Sequence, residues 1–459
     1  MSSEHPFRVA IVGSGPAGFY AAGALLASEE PTVEVDMFDR LPTPWGLVRL
    51  GVAPDHPKIK SVSRAFERIA QRPGFRFFGN VEVGRDVAHD ELTELYDAVV
   101  YAFGAQADRR MDIPGEDLPG SWPATAFVAW YNGHPDFQDL PFDLSAERVV
   151  VVGNGNVAVD VARMLALTAE EIGPTDTTDE AIAAIVGSGI REILVLGRRG
   201  PAQAAFTTPE LQELTELAGA DLVIDPVSLD LDPASAAALE DDTAIARRNV
   251  DLMRGVAGKP LTGKPRRVVL RFGVSPVAIH GDGRVEAVEI VRNELVPDAT
   301  GNIRAVPTEE REVIPCGLVL RSVGYRGTAM PGIPFDEGRA TIRNEGGRVL
   351  DDAGLPIPGV YCTGWIKRGP SGVIGTNKKD ATETVELLLA DLRAGIGARM
   401  GADHTARVDD LLAERGIGVV SYAGWQAIDA AECAAGEPQG RPRVKLHRWH
   451  ALLDAARRT

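Results

Sequence analysis

Two segments of the chain repeat one local pattern, and this repeat constrains the fold more than any other feature of the sequence. In the first, the apolar run Arg8–Val12 is followed by the glycine-rich Gly13–Gly18 and an Ala/Leu-rich stretch. In the second, Val149–Val152 is followed by Gly153–Ala158 and another apolar stretch. Each pattern predicts a strand, a tight turn and a helix, which open a βαβ unit. Runs of valine indicate parallel strands buried on both faces, so the chain is predicted to be an α/β protein.

The first glycine-rich turn has the context of a dinucleotide-binding site. Gly13 allows the tight turn, Gly15 lets the backbone approach a pyrophosphate, and Gly18 lets the helix pack on the strand. The next predicted strand ends at Asp39. A carboxylate there accepts hydrogen bonds from ribose hydroxyls and repels a 2′-phosphate, so the turn predicts FAD or NAD rather than NADP. The alternative is a purely structural glycine turn in another α/β protein.

The second turn ends differently. Gly153 and Gly155 are followed by Ala158 at the third position, and the next predicted strand ends at Arg198 and Arg199 instead of an acid. Two guanidinium groups can bind a 2′-phosphate through paired hydrogen bonds, so this turn predicts NADP. The alternative is a solvated basic turn.

Two dinucleotide sites with opposite 2′ preferences imply that one coenzyme reacts with the other. NADPH donates hydride, and a flavin accepts hydride and can release electrons singly. The pair of sites therefore predicts a flavoprotein reductase.

Composition excludes several other classes of protein. The net charge of −17 argues against a nucleic-acid partner, which requires a basic surface. The three cysteines lie far apart, which excludes a zinc ribbon, a cysteine-ligated iron–sulfur cluster and a dithiol redox centre, and no metal site is predicted. No apolar run is long enough for a membrane span, and Met1–Pro6 is too short and polar for a signal peptide. We therefore expect a cytoplasmic protein.

Longer motifs resemble the adrenodoxin-reductase-type ferredoxin–NADP reductases. The segments that carry the resemblance are Gly13–Gly18, Pro42–Arg49, Gly51–Lys58, Phe77–Val81, Gly153–Ala158, Gly197–Pro201 and Gly364–Asn377. The resemblance implies two Rossmann-like dinucleotide-binding domains, with the NADP domain (108–324) inserted into a discontinuous FAD domain (1–107 and 325–459). It also implies a monomer.

The resemblance assigns cofactor contacts to individual positions. Besides the glycines of the first turn, those implied for FAD are Ser14, Ala17, Asp39, Leu47, Val81, Trp365, Gly372, Val373 and Ile374. Those implied for NADP are Arg109, Asn154, Gly155, Asn156, Arg198, Arg199, Glu210 and Gly372, next to Gly153. A related superfamily pattern places an acid after the late strand, where this chain has Trp365.

Two further residues are candidates for a catalytic role. His56 and Glu210 resemble the polar pair that the family keeps near the nicotinamide. An imidazole can exchange protons near neutral pH and would serve as a relay for reduced flavin. The alternatives are that His56 caps a loop and that Glu210 opens a helix.

The resemblance also implies an iron–sulfur partner of the ferredoxin type, and such partners are acidic. Residues Arg247–Arg271, here called the basic stretch, hold eight lysines and arginines against Asp251 alone. A basic patch would attract an acidic partner, so we predict docking there. The alternative is an ordinary solvated face.

The predicted function is NADPH oxidation by bound FAD followed by single-electron transfer to a ferredoxin, reversible in principle. Two alternatives stay open at this point: a non-catalytic FAD/NADP-binding redox sensor, and a reductase subunit of a larger complex such as glutamate synthase. The latter module would carry cysteine clusters, which this chain lacks. A disulfide reductase would need paired cysteines, and the three cysteines of this chain lie far apart. The segments around Trp365 and His56 do not suit an N-hydroxylating monooxygenase.

Two local predictions concern the region between the second turn and the late strand. Residues Arg267–Phe272 and Val285–Asn293 are predicted to be antiparallel strands around the turn Gly281–Gly283. The segment Thr168–Gly189 is predicted to be a surface excursion, with a capping box formed by Thr177 and Glu180.

Overall fold

The computed structural model describes residues 6–241, 244–299, 301–397 and 404–458. Most of the N-terminal stretch considered for a signal peptide lies outside these residues. Two separate, mainly parallel sheets organise the chain. Among the described residues, no helix combines the length and the apolar character needed to cross a bilayer.

The first sheet has seven strands in the order β18-β19-β20-β4-β1-β2-β3. These are β1 (Phe7–Val12), β2 (Val33–Asp39), β3 (Phe75–Gly79), β4 (Ala98–Tyr101), β18 (Asn344–Glu345), β19 (Arg348–Leu350) and β20 (Pro356–Cys362). Its helices are α1 (Pro16–Leu25), α2 (Leu47–Leu50), α3 (Pro57–Lys60), α4 (Ser63–Ala70), α5 (His89–Leu95), α13 (Trp365–Arg368), α14 (Thr376–Arg393), α15 (His404–Glu414), α16 (Tyr422–Gly436) and α17 (Trp449–Ala456). We call this part the outer domain.

The second sheet has six parallel strands in the order β6-β14-β7-β8-β10-β9. These are β6 (Ser121–Pro123), β7 (Arg148–Val152), β8 (Glu192–Gly197), β9 (Ala220–Ile224), β10 (Arg266–Phe272) and β14 (Leu318–Arg321). Its helices are α6 (Ala124–Tyr131), α7 (Asn156–Ala166), α8 (Ala169–Ile172), α9 (Asp179–Val186), α10 (Thr208–Glu216), α11 (Pro233–Asp241) and α12 (Ala244–Val256). We call this part the inserted domain.

Smaller elements complete the fold. An antiparallel sheet beside the inserted domain contains β11 (Val274–His280), β12 (Ala287–Pro297) and β13 (Ile303–Pro315). Two short ribbons pair β5 (Ala107–Asp108) with β15 (Tyr325–Arg326) and β16 (Phe335–Asp336) with β17 (Thr341–Ile342). Turns of 3-10 helix lie at Pro135–Phe137, Pro201–Gln203, Pro226–Leu229 and Glu437–Gln439.

The predicted α/β architecture with one nucleotide-binding domain inserted into another is confirmed. The chain leaves the outer domain through β5 and returns through β15, and the two strands pair antiparallel, with Ala107 opposite Arg326 and Asp108 opposite Tyr325. The predicted boundaries at 107/108 and 324/325 fall at this ribbon. Because both crossings lie side by side, one short ribbon connects the domains.

Burial follows the sequence pattern of the parallel strands. Val9, Ala10 and Ile11 of β1 are fully buried, as are Val149, Val150 and Val151 of β7. Apolar side chains cover both faces of each sheet, and the helices supply the second layer of each core. The rigid strand ends then present their glycine-rich turns at one edge of each sheet.

The hairpin predicted around Gly281–Gly283 is wrong in its first strand. Residues Arg266–Phe272 form β10, which pairs in parallel with β8 and β9 inside the second sheet. The turn instead connects β11 to β12, whose ladder pairs His280 with Ala287. A strand that mixes arginines with apolar residues suits either kind of pairing, and only the distant partners decide between them.

The prediction of a surface excursion at Thr168–Gly189 is also wrong. The segment forms α8 and α9, and Thr177 and Thr178 in the connection between them are buried. The residue that caps the start of α9 is Thr178 rather than the predicted Thr177. Its hydroxyl accepts a hydrogen bond from the Ala181 backbone N–H. The capping box lies at the start of α8, where Thr168 and Glu171 bond each other's backbone N–H groups.

Candidate functional site

The first glycine-rich turn is shaped by close backbone approaches. A Cβ atom on Gly13, whose φ is +108°, would lie 2.7 Å from the Phe103 Cα. A Cβ on Gly18 would lie 2.1 Å from the Gly13 carbonyl oxygen, so helix α1 can pack on β1 only with glycine there. A Cβ on Gly15 would have no atom within 4 Å. Gly13 and Gly18 therefore shape the turn, and Gly15 leaves space for a ligand.

Asp39 lies at the end of β2 and faces this turn. One of its carboxylate oxygens accepts hydrogen bonds from the Ser14 backbone N–H, at 2.9 Å, and from the Ser14 hydroxyl. The other accepts from the Leu41 backbone N–H at 2.9 Å. Burial raises the pKa of Asp39, and these hydrogen bonds oppose the rise. The carboxylate is thus held in place beside the turn where the sequence places a ribose.

A cavity of about 710 Å³ extends from the turn along the outer domain. Predicted FAD contacts on its wall are Ser14, Asp39, Leu47 and Val81, next to Gly13 and Gly15. The inserted domain contributes Thr125 and Ala129 from α6. Both domains therefore enclose the space, which is large enough for an extended cofactor.

Strand β20, which ends shortly before Gly364, reaches the same turn from the other side. A Cβ on Gly364 would lie 2.6 Å from the Ala17 Cβ, so this glycine lets α13 and its Trp365 start against α1. The Trp365 indole N–H donates to the Ser371 carbonyl at 3.2 Å, and its ring packs 5.1 Å from that of Tyr325. Tyr325 lines both the 710 Å³ cavity and a second cavity.

The second cavity has a volume of about 830 Å³ and contains Arg109, a predicted NADP contact. Its wall continues through Lys367–Ser371, which ends just before Gly372. The structure places Gly372, Val373 and Ile374 after this wall and leading into α14; their contacts to cofactors stay a prediction.

The second glycine-rich turn repeats the geometry of the first. Gly153 has a φ of +123°, and a Cβ there would lie 2.2 Å from the Ser322 carbonyl oxygen, whereas a Cβ on Gly155 would have no atom within 4 Å. The amide Nδ2 of Asn154 is buried without a hydrogen-bond partner within the described chain. The turn therefore holds both open space and an unused donor.

Asn156 and Ala158 hold the helix that follows this turn. The Asn156 side-chain oxygen accepts from the Thr207 backbone N–H at 2.8 Å, which ties the start of α7 to the start of α10. Ala158 is fully buried under the turn.

Arg198 and Arg199 follow β8 at the edge of this turn. In the part of the chain that the structure describes, neither guanidinium has a carboxylate within ion-pair distance. Burial and the neighbouring Arg198 both lower the pKa of Arg199. Two adjacent cations without a counter-ion are an unfavourable arrangement that a bound phosphate would relieve. These residues fit a 2′-phosphorylated nucleotide.

A cluster of ionic side chains lies where the two domains meet, and we call it the His56 cluster. His56 is the N-cap of α3, and its Nε2 lies 2.8 Å from the Glu213 carboxylate on α10. Arg163 lies between the acids, 2.9 Å from Glu210 and 3.1 Å from Glu213, and it also bonds Asp55 at 2.7 and 3.0 Å. The structure gives His56 a different carboxylate from the expected Glu210, which lies one helical turn away.

The cluster also contains a buried acid with an unusual pKa. Asp160 lies 2.8 Å from Arg163, but burial raises its pKa to about 7, with the nearby Glu210 adding to the rise and Arg163 opposing it. Burial likewise raises the pKa of Glu210. The ligand atoms of His56, Glu210 and Glu213 lie within 4.8 Å of one another. Arg163 already supplies the positive charge among them.

Residue-by-residue reasoning missed Asp55, Asp160, Arg163 and Glu213. Glu213 follows Glu210 by three positions, which places both on one face of a helix. That spacing was the one available signal, because the partner of Glu213 is 157 residues away in the sequence.

The basic stretch does not form one surface of free cations. Arg271 and Arg267 pair with Glu312 and Glu192. Arg266 donates to backbone carbonyls such as that of Ile185, at 3.0 Å. The other exposed cations of the stretch are Arg247, Arg248, Arg254 and Lys259, on α12 and just after it, and Arg247 donates to the Leu239 carbonyl at 2.8 Å.

Comparisons with known proteins agree with these features. Residues 7–194 match the model of the pyridine nucleotide-disulphide oxidoreductase family. The chain is 52% identical over 457 residues to the NADPH-ferredoxin reductase FprA of Mycobacterium tuberculosis, with 98% of both chains covered. It is 44% identical to the mitochondrial NADPH:adrenodoxin oxidoreductase of Homo sapiens, over 97% of this chain and 91% of that one. The solved structure of M. tuberculosis FprA in complex with NADPH superposes with a TM-score of 0.93 at 51% identity, covering 98% of this chain and all of the other.

Proposed function

The chain belongs to the NADPH–ferredoxin reductase family that includes FprA and adrenodoxin reductase, and from that premise we propose that it oxidises NADPH and reduces a ferredoxin-type iron–sulfur protein. FAD binds at the first glycine-rich turn and NADP at the second. When bound, FAD would supply a hydride acceptor that can also give up single electrons.

The opposite charges at the two strand ends carry this proposal. At the first turn, Asp39 offers a carboxylate held by three hydrogen bonds, which suits two ribose hydroxyls. At the second, Arg198 and Arg199 lack acidic partners among the described residues, and they suit a 2′-phosphate. Each turn exposes a helix N-terminus to a pyrophosphate. One chain can therefore hold an electron donor and an electron acceptor at once.

The His56 cluster is the proposed polar wall beside the reacting ring. We assign His56 the role of holding or passing the proton that the flavin exchanges, with Glu213 orienting the imidazole at 2.8 Å. Arg163 fixes the acids around it, since it contacts Asp55 and Glu210 as well. Glu210 is assigned to the NADP site, next to this wall.

The proposed docking site for the iron–sulfur partner is the exposed part of the basic stretch. Arg248, Arg254 and Lys259 project from α12 and its end, and Arg254 makes only a 3.8 Å exposed pair with Asp251. Cations that are not neutralised attract an acidic protein over distances of about a Debye length, ~8–10 Å. Arg267 and Arg271, which are paired, contribute little to this attraction.

We further propose that the protein acts as a monomer in the cytoplasm. Its three cysteines are free thiols, and two of them, Cys316 and Cys362, are buried. Free thiols suit a reducing compartment. Size-exclusion chromatography with light scattering tests the monomer.

The direct test of the function is a steady-state assay with a [2Fe–2S] ferredoxin at low salt, comparing NADPH with NADH. We expect reduction of the ferredoxin with a strong preference for NADPH. If the purified protein carries FAD and binds NADP but passes no electrons to any ferredoxin or small acceptor, the alternative of a redox sensor replaces the reductase.

A further inference from the structure

The C-terminal segment that no motif explained contributes a buried residue, Lys445, to the contact between the two domains. Lys445 has a fully buried side chain, and its ammonium lies 3.2 Å from the Asp176 carboxylate. It also donates to the Arg49 carbonyl at 3.1 Å and to the Asn132 side-chain oxygen at 3.2 Å. Asp176 and Asn132 belong to the inserted domain, whereas Arg49 and Lys445 belong to the outer domain. One ammonium group therefore bridges the two.

A second lysine reaches the same carboxylate from the outer domain. Lys60 Nζ lies 2.6 and 2.9 Å from the two Asp176 oxygens and 3.3 Å from the Asn132 oxygen. Burial opposes ionisation of Asp176, Lys60 and Lys445 and lowers the pKa of both lysines, with Asp176 opposing that fall; at Asp176 itself the two lysines outweigh burial and hold the pKa of the carboxyl well below its usual range. We call Lys60, Asn132, Asp176 and Lys445 the clasp. Removing one partner leaves buried polar groups incompletely paired, so the members hold one another in place.

The segment that carries Lys445 is itself anchored at both ends. Glu432 accepts from the Leu446 backbone N–H at 2.8 Å and forms a buried pair with Arg49, with distances of 2.9 and 2.6 Å. Arg441 donates to the Thr175 carbonyl at 3.0 Å and also pairs with Asp179. The backbone on both sides of Lys445 is thereby fixed, so the ammonium has little freedom to follow a shift of the inserted domain.

The clasp lies at one end of the helix that presents His56. Helix α3 has four residues, with His56 as its N-cap and Lys60 as its last residue. So short a helix has little stability of its own, and its position depends on tertiary contacts. Its N-terminal end meets the inserted domain at Glu213, and its C-terminal end meets it at Asp176. Because one contact lies at each end of α3, the two together fix the position of this helix against the inserted domain.

We propose that Lys60, Asp176 and Lys445 are positioning residues for hydride transfer: the clasp holds α3, and with it His56, in register with Glu213 and the nucleotide of the inserted domain. This inference rests on the proposed function. It assigns the C-terminal segment the task of fixing the angle between the two domains at the point where the coenzymes would meet.

The test compares Lys445→Met and Lys60→Met with the matched control Lys379→Met, whose side chain is 85% exposed. Stopped-flow absorbance at the flavin band measures the rate of flavin reduction by NADPH in the FAD-loaded protein. We expect both clasp variants to reduce the flavin about tenfold more slowly or worse, because small misplacements of reacting groups are costly. The dissociation constant for NADP⁺ stays within about threefold, since the contacts of Arg198 and Arg199 are untouched. Lys60→Arg, which can still pair with Asp176, keeps the wild-type rate.

A second readout does not depend on turnover. Hydrogen exchange of the backbone amides of α3 is expected to accelerate in both clasp variants and to stay unchanged in the control. If the clasp variants unfold more readily but reduce flavin at the wild-type rate, the clasp is merely structural and the inference is overturned. If wild-type flavin is not reduced by NADPH at all, the proposed function fails, and the exchange of α3 still decides whether the clasp positions this helix. Should Lys445→Met not fold, Lys60→Met, which is partly exposed, decides alone.

Discussion

At the residue scale, the proposed function assigns the choice of nicotinamide nucleotide to the two arginines after β8. Arg198 and Arg199 are adjacent, and neither has an acidic partner among the described residues. Because like charges repel, a bound anion between the two guanidinium groups would stabilise this arrangement. The same position at the first turn holds Asp39, so the proposed discrimination rests on one or two side chains of an otherwise repeated scaffold.

Replacing both arginines by alanine is expected to reduce the preference for NADPH over NADH. A charge-assisted hydrogen bond contributes about 1.5–3 kcal/mol, so the ratio of kcat/KM values falls roughly 100-fold or more. The measurement is steady-state reduction of ferricyanide with each nucleotide. The double variant Arg284→Ala/Arg292→Ala, at side chains 71% and 69% exposed, is the control. An unchanged ratio of kcat/KM values would show that the 2′-phosphate does not bind at Arg198 and Arg199.

The buried Asp160 predicts a pH-dependent stability. Its pKa is raised by burial to about 7, above the usual value near 4, so between about pH 4 and 7 the folded protein retains a proton that the unfolded chain loses. Its contribution to folding therefore becomes less favourable as the pH rises through this window. Asp160→Asn carries no titrating group there, and we expect it to gain stability relative to wild type between pH 5 and pH 8.

Urea denaturation at both pH values measures this difference. The exposed Asp282→Asn is the control, and its stability difference from wild type should not change between the two pH values. If the gap between Asp160→Asn and wild type is the same at pH 5 and pH 8, Asp160 titrates normally.

Single residues also mark the limit of sequence reasoning at this scale. Local sequence was enough to single out Asp39, Arg198 and Arg199, because each lies at the end of a strand that its own residues predict. Glu213 and Arg163 were not predictable, since Glu213 contacts His56 and Arg163 contacts Asp55, both from distant parts of the chain. Whether His56 pairs with Glu210 or with Glu213 is decided only by how α3 packs against α10.

At the scale of the element, the glycines of one turn have separable tasks. Gly18 lets α1 lie on β1, where a Cβ would come within 2.1 Å of a carbonyl oxygen, whereas Gly15 faces open space. We expect Gly18→Ala to destabilise the apoprotein by about 1–3 kcal/mol or more through overpacking. Gly15→Ala should leave the apoprotein nearly as stable as wild type but weaken FAD binding, because the added methyl occupies the space that the pyrophosphate needs.

Thermal unfolding of the apoprotein and titration with FAD separate the two effects. Equal losses of apoprotein stability in both variants would show that Gly15 is also a packing residue. Gly155→Ala, in the second turn, should leave FAD binding unchanged.

Elements were predictable where their partners are near in sequence. Strands β1 and β7 and their helices follow from runs of valine and from glycine spacing. Strand β10 was assigned to the wrong partner because its ladder with β8 and β9 joins residues that are about 45 to 75 positions apart. The segment with α8 and α9 was wrong for a similar reason, since its buried threonines contact the distant C-terminal segment.

At the scale of the whole molecule, electrostatics should govern the encounter with the partner. The protein carries a net charge of −17, so an acidic ferredoxin is repelled by most of its surface and attracted by the exposed cations around α12. We expect kcat/KM for ferredoxin to fall steeply as salt rises from about 20 to 300 mM, because salt screens this attraction. Turnover with an uncharged quinone should stay nearly constant.

The double variant Arg248→Ala/Lys259→Ala should flatten the dependence on salt, while the control Arg326→Ala/Arg339→Ala should retain it. Equal salt dependence for ferredoxin and the quinone would argue against docking at the basic stretch.

The arrangement of the domains was predicted from the resemblance to the reductase family, and it agrees with the repeat, in which the second βαβ unit interrupts the first sheet. How the domains are fixed to each other could not be predicted. Lys60, Asp176 and Lys445 lie in three separate parts of the sequence, and no local pattern distinguishes them from surface charges. Only their shared burial reveals them.

The central claim is that two coenzymes of opposite 2′ chemistry meet in one chain and exchange hydride. Anaerobic mixing of the FAD-loaded protein with one equivalent of NADPH in a stopped-flow spectrophotometer tests it most directly. We expect rapid loss of the yellow flavin absorbance with NADPH and a much slower loss with NADH. A protein that binds both coenzymes yet remains yellow with excess NADPH would contradict it.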